Sequence, residues 1–462
     1  MNELHLRPWP IRIETEGARP IDMPHLRRTH LREVFINNSG RVHPSRSFRR
    51  PWSARIFQGI RICALISLLN VTIPTFSAVQ APNGTDTDPL NLRPEVQAAY
   101  QHFYNLDYDK AQVLFEKIAA EHPTDPMAVN YVLNNAVFRE LYRLDLLDTT
   151  LYVQEGFLSG KHPVVEDMHA RARIDALYQH AIDLSNRRIA ANPNDADALF
   201  ARGFATSLDT LYIGMVEKKY VTALHMASAS RKDDDAVLKL DPKYIDCYLI
   251  VGVHEYVMGT LSFPLRVLAG LVGMHGSKSK GMRELEWVGR DGIINSVSAR
   301  TSLAIFLRRE AQYTKALDVI NGLAQQYPHN FLFALEQANL LKDSGQGMRA
   351  IAAYEALLQR AKAPGGYYPD AHLEMAFYGL GEATRGQRQI EEAAKAYQSA
   401  TSQPTATPLM KRRAHLAAGE MFDLLGQRVQ AKQQYDAVLA LGTDSDQAER
   451  AAKYETSPYR GK

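Results

Sequence analysis

One pattern of apolar and polar positions recurs four times towards the end of the chain, in residues 302–330, 334–361, 373–400 and 416–442. In each stretch apolar side chains recur every three or four residues over two segments, and a short polar turn separates the segments. A recurrence with this period is typical of amphipathic α-helices. The pattern therefore predicts four consecutive helical hairpins.

Small residues occupy matching positions in these hairpins. Each first helix carries one, and an alanine follows it 12 residues later, in the pairs Ala304 with Ala316, Ala338 with Ala350, Gly381 with Ala393 and Gly419 with Ala431. Glycine or alanine at a contact lets two helix axes approach to about 8–10 Å. A larger side chain follows four residues on, at Ile320, Tyr354, Tyr397 and Tyr435. A single hairpin cannot bury that face, so we expect the hairpins to stack sideways.

The same arrangement occurs earlier in the chain. Residues 98–126 carry it at Ala99, Tyr108, Ala111, Phe115 and Pro123. This order resembles the tetratricopeptide repeat (TPR), which has a small residue, an alanine, an aromatic residue and a closing proline. The signature tryptophan of the first TPR helix is missing in every unit. The resemblance implies an all-α fold, a right-handed α-solenoid of stacked TPR-like hairpins. It also implies a protein that binds a partner, without indicating which.

The pattern divides the chain into six parts. They are an Arg/Pro-rich leader (1–54), a signal-peptide-like segment (55–81), a TPR-like hairpin (92–126), a divergent region of long helices (127–299), TPR-like repeats (300–445) and a C-terminal cap and tail (446–462). The leader has no helical or strand period, which predicts disorder. Two explanations for it stay open: a mis-annotated start, with translation beginning later at a codon such as that of Val42, or a native extension.

Residues 49–84 have the layout of an export signal. Arginines precede an apolar run over residues 62–78, and Val79 and Ala81 offer small side chains at the two positions that a signal peptidase reads. The run is shorter than the roughly 20 residues that span a bilayer comfortably. We expect a cleaved signal and export to the periplasm or cell envelope. The alternatives are an uncleaved membrane anchor and a buried helix.

The middle region departs from the plain repeat. Residues 168–193 and 220–242 predict helices longer than one TPR helix, and the insert 256–281 is rich in apolar residues and glycine. The stretch 259–285 is similar to a segment of the eukaryotic TPR family that includes the mitochondrial outer-membrane inclusion-body-clearance proteins. That similarity implies architecture rather than an activity.

Three interpretations of the insert stay open. The first is a buried hairpin with glycines for close contact. The second is a membrane-facing or apolar-ligand element, covering residues 256–274, with the side chains Phe263, Pro264, Arg266, Leu268 and Leu271. The third is a phosphate-binding loop that uses Lys278 and Lys280, although it lacks the spacing of a nucleotide-binding P-loop.

Charge and cysteine content narrow the class of protein. The chain has a formal net charge of +3, but residues 1–81 hold twelve arginines, no lysine and five acidic residues, so the rest carries 42 basic against 46 acidic side chains. A mildly acidic body gives no reason to expect nucleic-acid binding. If Cys63 is removed with the leader, Cys247 is alone, and we expect it to be a core thiol.

No catalytic constellation emerges from the sequence. His254-Glu255 lacks the second histidine of a zinc-protease helix, because position 258 is Met258. We expect Asp233-Asp234-Asp235 to form a solvated helix face. His225, His275, His372 and His415 have no metal-ligand spacing. The sequence therefore predicts a protein without enzymatic activity, cofactor or metal.

Two functions are consistent with these observations. The first is an exported scaffold whose first helices line a concave groove for a peptide or protein partner. The candidate groove residues are Arg300, Phe306, Asn339, Lys342, Tyr378, Arg385 and Phe422. The second is a lipid or small-molecule carrier or sensor that uses the apolar middle segment. The sequence does not indicate an oligomeric state.

Overall fold

Helical hairpins are the building block of this protein. The computed structural model describes residues 86–153, 163–260, 275–363 and 365–461, which belong to the unit Ala78–Lys462. These ranges contain 18 α-helices and no β-strand. The expected all-α solenoid of stacked TPR-like hairpins is confirmed.

The described α-helices follow one another with short connections. In chain order they are α1 (Pro94–Tyr104), α2 (Tyr108–Glu121), α3 (Pro126–Arg143), α4 (Thr150–Val153), α5 (Met168–Ala191), α6 (Ala196–Met215), α7 (Tyr220–Leu240), α8 (Tyr248–Thr260), α9 (Lys278–Asp291), α10 (Ser296–Arg309), α11 (Tyr313–Gln326), α12 (Phe331–Asp343), α13 (Gly347–Ala361), α14 (Leu373–Gly386), α15 (Ile390–Thr401), α16 (Pro408–Leu424), α17 (Arg428–Ala440) and α18 (Asp446–Thr456). Two short 3-10 helices cover Pro89–Leu92 and Ile245–Cys247.

A left-handed residue closes the turn of each regular hairpin. Seven residues after the small residue of the first helix, the backbone has a positive φ at Leu106, Ala311, Gly345, Arg388 and Gly426. Helix α3 ends in the same kind of turn, with a φ of 60° at Asp145. Glycine adopts this conformation without strain, and aspartate adopts it more readily than most residues. The turn fixes where the second helix of each hairpin begins.

The small residues make the close contacts that their spacing predicts. The second-helix alanines Ala316, Ala350, Ala393 and Ala431 are fully buried. Tyr397 packs its ring on Gly381, where an added Cβ would lie 2.5 Å from the ring, and Tyr435 packs on Gly419 in the same way. Glycine is thus required in these first helices because a tyrosine ring occupies the space of the Cβ.

The middle region contains the long helices that the sequence predicts. Helices α5, α6 and α7 have 24, 20 and 21 residues. Helices α8 and α9 then pair, and a Cβ added at Gly281 would lie 2.7 Å from the backbone nitrogen of Tyr256. Glycine therefore serves close backbone contact here, as the first interpretation of the insert expects.

The two lysines of the phosphate-loop interpretation each pair with a carboxylate, Lys278 with Glu310 at 2.7 Å and Lys280 with Glu255 at 2.9 Å. One expectation for this region is wrong. Asp234 is not part of a solvated face but is buried. It lies on the side of α7 that packs against Gly203 of α6.

Some sequence predictions concern residues that the structure does not describe. These are the leader (1–54), the signal-like segment (55–81) with Val79 and Ala81, and Phe263, Pro264, Arg266, Leu268 and Leu271 of the insert. Among the helices that are described, none combines the length and the apolar character needed to cross a bilayer.

Candidate functional site

The first hairpins contact helices that lie about 200 residues later in the chain. Asn330, at the start of α12, donates from Nδ2 to the backbone carbonyl of Tyr104 at 2.6 Å. Its Oδ1 accepts from the backbone N–H of Phe333 at 3.0 Å and so caps α12. The Tyr104 hydroxyl donates to the carbonyl of Ile294 at 3.1 Å. The stack of hairpins is therefore closed on itself, and the end of α1 lies against the later repeats.

An apolar cavity of about 320 Å³, partly open to the surface, lies at this closure, and we call it the central cavity. Its lining comes from helices α1, α2, α3, α4, α6, α10, α11 and α12 and from the turns after α1 and α3. Large apolar side chains from distant segments face one another there, among them Phe103, Phe138, Leu147, Ile305 and Phe333. Helix α10 contributes the small side chains Ser298, Thr301 and Ser302 to one wall. The cavity exists because these side chains leave space between the larger ones.

A buried ionic network forms one end of the central cavity. Arg308 of α10 is 2% exposed. It pairs with Glu336 at 3.0 Å and with Asp343 at 2.5 Å, both on α12. It also donates to the hydroxyl of Thr149 at 2.8 Å, and that hydroxyl donates to Glu336. Burial raises the pKa of Glu336, and the charge of Arg308 opposes that shift. The network ties the turn before α4 to α10 and α12.

A smaller cavity of about 100 Å³, which we call the polar pocket, shares Asp148, Leu335 and Asn339 with the central cavity. Three of the predicted groove residues, Asn339, Lys342 and Tyr378, line it together. Asn339 accepts a hydrogen bond from the hydroxyl of Tyr354 at 2.5 Å.

The other four predicted groove residues lie elsewhere. Arg300 donates to Gln326 on the neighbouring helix at 2.7 Å. Phe306 stacks on Tyr256 with ring centroids 3.7 Å apart. Arg385 pairs with Glu420 at 3.2 Å. Phe422 is buried in the apolar core of the last repeats. None of the four lines the central cavity or the polar pocket.

Sequence reasoning missed the N-terminal half of the site. The side chains of α1, α3 and α4 form much of the cavity wall, although all the candidate groove residues came from the later hairpins. One signal was present in the sequence. Three apolar residues, Leu144, Leu146 and Leu147, directly follow α3. A turn between helices is usually polar, so apolar residues here indicate that the turn is covered by another part of the chain.

A second contact between distant segments contains a buried histidine and two buried carboxylates. Nδ1 of His372 lies 2.8 Å from Asp145 Oδ1 and 3.4 Å from Glu374 Oε1. Burial lowers the pKa of His372, but the carboxylates around it outweigh burial and raise it overall. Burial raises the pKa of Glu374. Within the described part of the chain, these three residues form the one group with the geometry to hold a metal ion.

Comparison with known proteins gives structural neighbours and no sequence relative. No family model matches the chain, and no curated protein matches it. It is similar to a tetratricopeptide repeat protein from Parabacteroides merdae, with 14% identity, a TM-score of 0.32 and coverage of 70% of this chain and 97% of that one. It is also similar to yeast Tom70, with 11% identity, a TM-score of 0.35 and coverage of 78% and 87%.

A third neighbour is the human IFIT1 dimer with PPP-AAAA, with 12% identity, a TM-score of 0.40 and coverage of 80% of both chains. What these proteins bind is a property of their own surfaces. The fold of this chain is a stack of TPR-like helical hairpins.

Proposed function

We propose that this protein is a non-enzymatic interaction scaffold that binds a protein or peptide partner by taking the partner's apolar side chains into the central cavity. The observation that carries the proposal is the cavity itself, about 320 Å³ of apolar space between hairpins that are distant in sequence. Its volume lies at the lower end of the range of about 300–1,000 Å³ that is typical of ligand pockets. A few large apolar side chains would fill it.

The charged groups around the cavity support binding rather than catalysis. Glu336 is held by Arg308 at 3.0 Å, and Asp148 accepts from Thr150 at 2.7 Å and lies 3.7 Å from Arg413. A general base or a nucleophile needs a partner arranged to activate it and access to a substrate. Both carboxylates lining the cavity are instead committed to neighbours. Affinity would come from buried apolar anchors, which dominate many interfaces.

A small apolar ligand, such as a lipid chain, is the second candidate. It is favoured by the lining of the cavity, in which apolar side chains of α1, α3 and α4 face those of the later helices. Such a ligand would lie between the chain's own helices, as in a carrier or sensor. This site differs from the insert at 256–274, to which the sequence assigns the same function.

Export to the periplasm or envelope is part of the proposal and depends on the sequence pattern around Val79 and Ala81. Mass spectrometry of the mature N-terminus from the native host tests it. A chain that starts at Pro82 would support export with cleavage. A chain that starts upstream of Arg55 would contradict cleavage and favour an anchored protein.

The binding proposal is tested by filling the cavity. Peptides selected from a random display library against the full chain would be labelled, and their affinity measured by fluorescence polarisation. Ser302→Phe places a ring in the central cavity, and we expect it to weaken binding about tenfold or more, since about 1.4 kcal/mol is lost per tenfold. Ser228→Phe on α7, which does not line the cavity, is the matched control.

Equal binding by both variants would refute the cavity as the site. Native mass spectrometry of the purified protein separates the two candidates. A bound apolar molecule that is present in the wild type and in Ser228→Phe, and absent in Ser302→Phe, would favour the small-ligand function over the peptide function.

A further inference from the structure

Three segments that are far apart in the sequence meet at the buried histidine. Asp145 lies in the turn after α3, His372 and Glu374 lie at the start of α14, and Thr407 caps α16. Asp145 and His372 are 227 residues apart in the chain. The His372 ring also packs on the ring of Tyr142, with centroids 4.2 Å apart. The tertiary structure therefore builds this site from residues that no local motif connects.

The charges of the cluster are not balanced by the chain itself. The side chains of Asp145 and Glu374 are 2% and 0% exposed. Within the described residues, His372 is the only basic side chain that pairs with either of them. When both carboxyl groups are ionised, the group carries a net negative charge even with the histidine protonated, and burying an uncompensated charge is costly. A divalent cation would neutralise both carboxylates.

One ligand atom has no hydrogen-bond partner. Glu374 Oε1 is buried and accepts no hydrogen bond, although it lies 3.4 Å from Nδ1 of His372. Most buried side-chain oxygens in proteins have at least one partner. This oxygen is one of the three ligand atoms that lie within 4.8 Å of one another, and an ion among them would coordinate it.

We propose that Asp145, His372 and Glu374 bind one divalent metal ion, with Zn²⁺ as the ion that suits them best. Their ligand atoms all lie within 4.8 Å of one another. Zn²⁺ bonds to nitrogen and oxygen are about 2.0–2.2 Å long, which places neighbouring ligands about 3.3 Å apart in a tetrahedral site. An imidazole with two carboxylates suits Zn²⁺ better than Ca²⁺ or Mg²⁺, which prefer oxygen ligands alone.

The surroundings of the three ligands have the features of a metal site. The Thr407 hydroxyl donates to the outer oxygen of Asp145 at 2.6 Å, and the Thr405 hydroxyl donates to the outer oxygen of Glu374 at 2.6 Å. Nε2 of His372 faces Asp370 at 3.9 Å. Outer hydrogen bonds such as those of Thr407 and Thr405 orient the carboxylate ligands of metal sites.

One member of the cluster, His372, borders a surface groove. A groove of about 730 Å³ between α2, α3 and α5 is lined by Tyr142, Asp370 and His372. Three protein ligands leave a fourth position for water on the ion. A metal at this point would hold the turn after α3 against α14 and α16, and so strengthen the closure of the stack.

The test uses the full chain, stripped with a chelator and dialysed. Isothermal titration with ZnCl₂ and elemental analysis should give one tightly bound ion per chain, and Co²⁺ should give visible absorption bands of a low-symmetry site. Glu374→Gln keeps the shape of the side chain and an acceptor for Thr405, so it should fold, yet it should weaken Zn²⁺ binding about 100-fold or more. Thr407→Val should weaken it about 10–100-fold.

His415→Gln is the control, because His415 is partly buried and contacts Gln434 at 2.8 Å, away from the cluster. It should bind Zn²⁺ as the wild type does. His372→Asn should abolish the cobalt bands while circular dichroism confirms that it is folded. The proposal is overturned if stripped wild-type protein binds neither ion, or if Glu374→Gln and His372→Asn bind as tightly as the control.

Discussion

The stacked repeats after residue 331 and the closure between the first hairpins and those repeats are stabilised in different ways. In the stack, Tyr397 packs on Gly381 and Tyr435 on Gly419, each 16 residues earlier in the same hairpin, and Tyr354 of one hairpin packs on Gly379 of the next. In the closure, Arg308, Glu336 and Thr149 meet once, through buried polar groups separated by up to 187 residues.

The difference shows that a repeat protein can stack its hairpins through apolar contacts and fix the position of its distant ends through buried polar contacts. Apolar contacts between neighbours tolerate repetition because each hairpin offers the same face to the next. Buried polar groups must find particular partners, since an unpaired one is costly. The closure therefore selects one way for the ends of the stack to meet, and the central cavity forms between them.

The largest expected effect breaks the closure. Arg308→Ala leaves Glu336 buried without its cation, and removing one partner of a buried pair costs about 3–5 kcal/mol of stability. Urea denaturation followed by circular dichroism measures this loss. Arg309→Ala, at the exposed neighbouring position, should change stability by about 0.5 kcal/mol or less. Equal effects from both variants would show that the network does not stabilise the closure.

A smaller effect is expected in the stack. Gly381→Ala puts a methyl group 2.5 Å from the Tyr397 ring, and overpacking of this kind costs about 1–3 kcal/mol. Gly386→Ala in the same helix α14 has open space around the new Cβ. It should be neutral or stabilising by up to about 1 kcal/mol, because glycine is a poor helix former. Thermal denaturation of the two variants gives the comparison, and a stable Gly381→Ala protein would contradict the close ring contact.

The smallest effect concerns the turns that both regions share. Ala311 and Gly345 occupy the same turn position, with φ of 56° and 78°. A side chain with a Cβ is strained there by about 1–2 kcal/mol. Ala311→Gly removes this strain, but glycine also gives the unfolded chain more conformational entropy, so the net gain in stability should be less than about 1 kcal/mol. Gly345→Ala should lower the stability by a similar amount. Chemical denaturation measures the change in the free energy of unfolding for each variant. Changes of opposite sign would support the matched turns, whereas changes of the same sign would contradict them.

Much of the hairpin architecture could be predicted, and the candidate site only in part. The constant offset of 12 residues between the small residue of each first helix and the alanine of its second helix was sufficient for the repeats. Asn339, Lys342 and Tyr378 were named from hairpin position and lie together in the polar pocket. Phe306 was named by the same reasoning, but Tyr256 of a different hairpin covers it. Position within a hairpin indicates which face a residue takes, but not what lies on that face.

The middle of the chain illustrates the same limit. Asp234 stands between two other aspartates and was expected to be solvated, yet it is buried because α7 turns that side towards α6. His372 has no ligand spacing in the sequence, and its neighbours Asp145 and Thr407 come from other turns of the stack. A spacing rule detects only ligands that share one element.

The sequence by itself determined the helices, their pairing into hairpins and the sideways stacking, because these depend on contacts within about one repeat and leave a periodic pattern. Only the tertiary structure decided that the first hairpins would meet the later ones and create the central cavity and the His372 cluster. Such meetings join residues about 200 positions apart, where the chain's path through many turns, rather than any local period, brings two surfaces together.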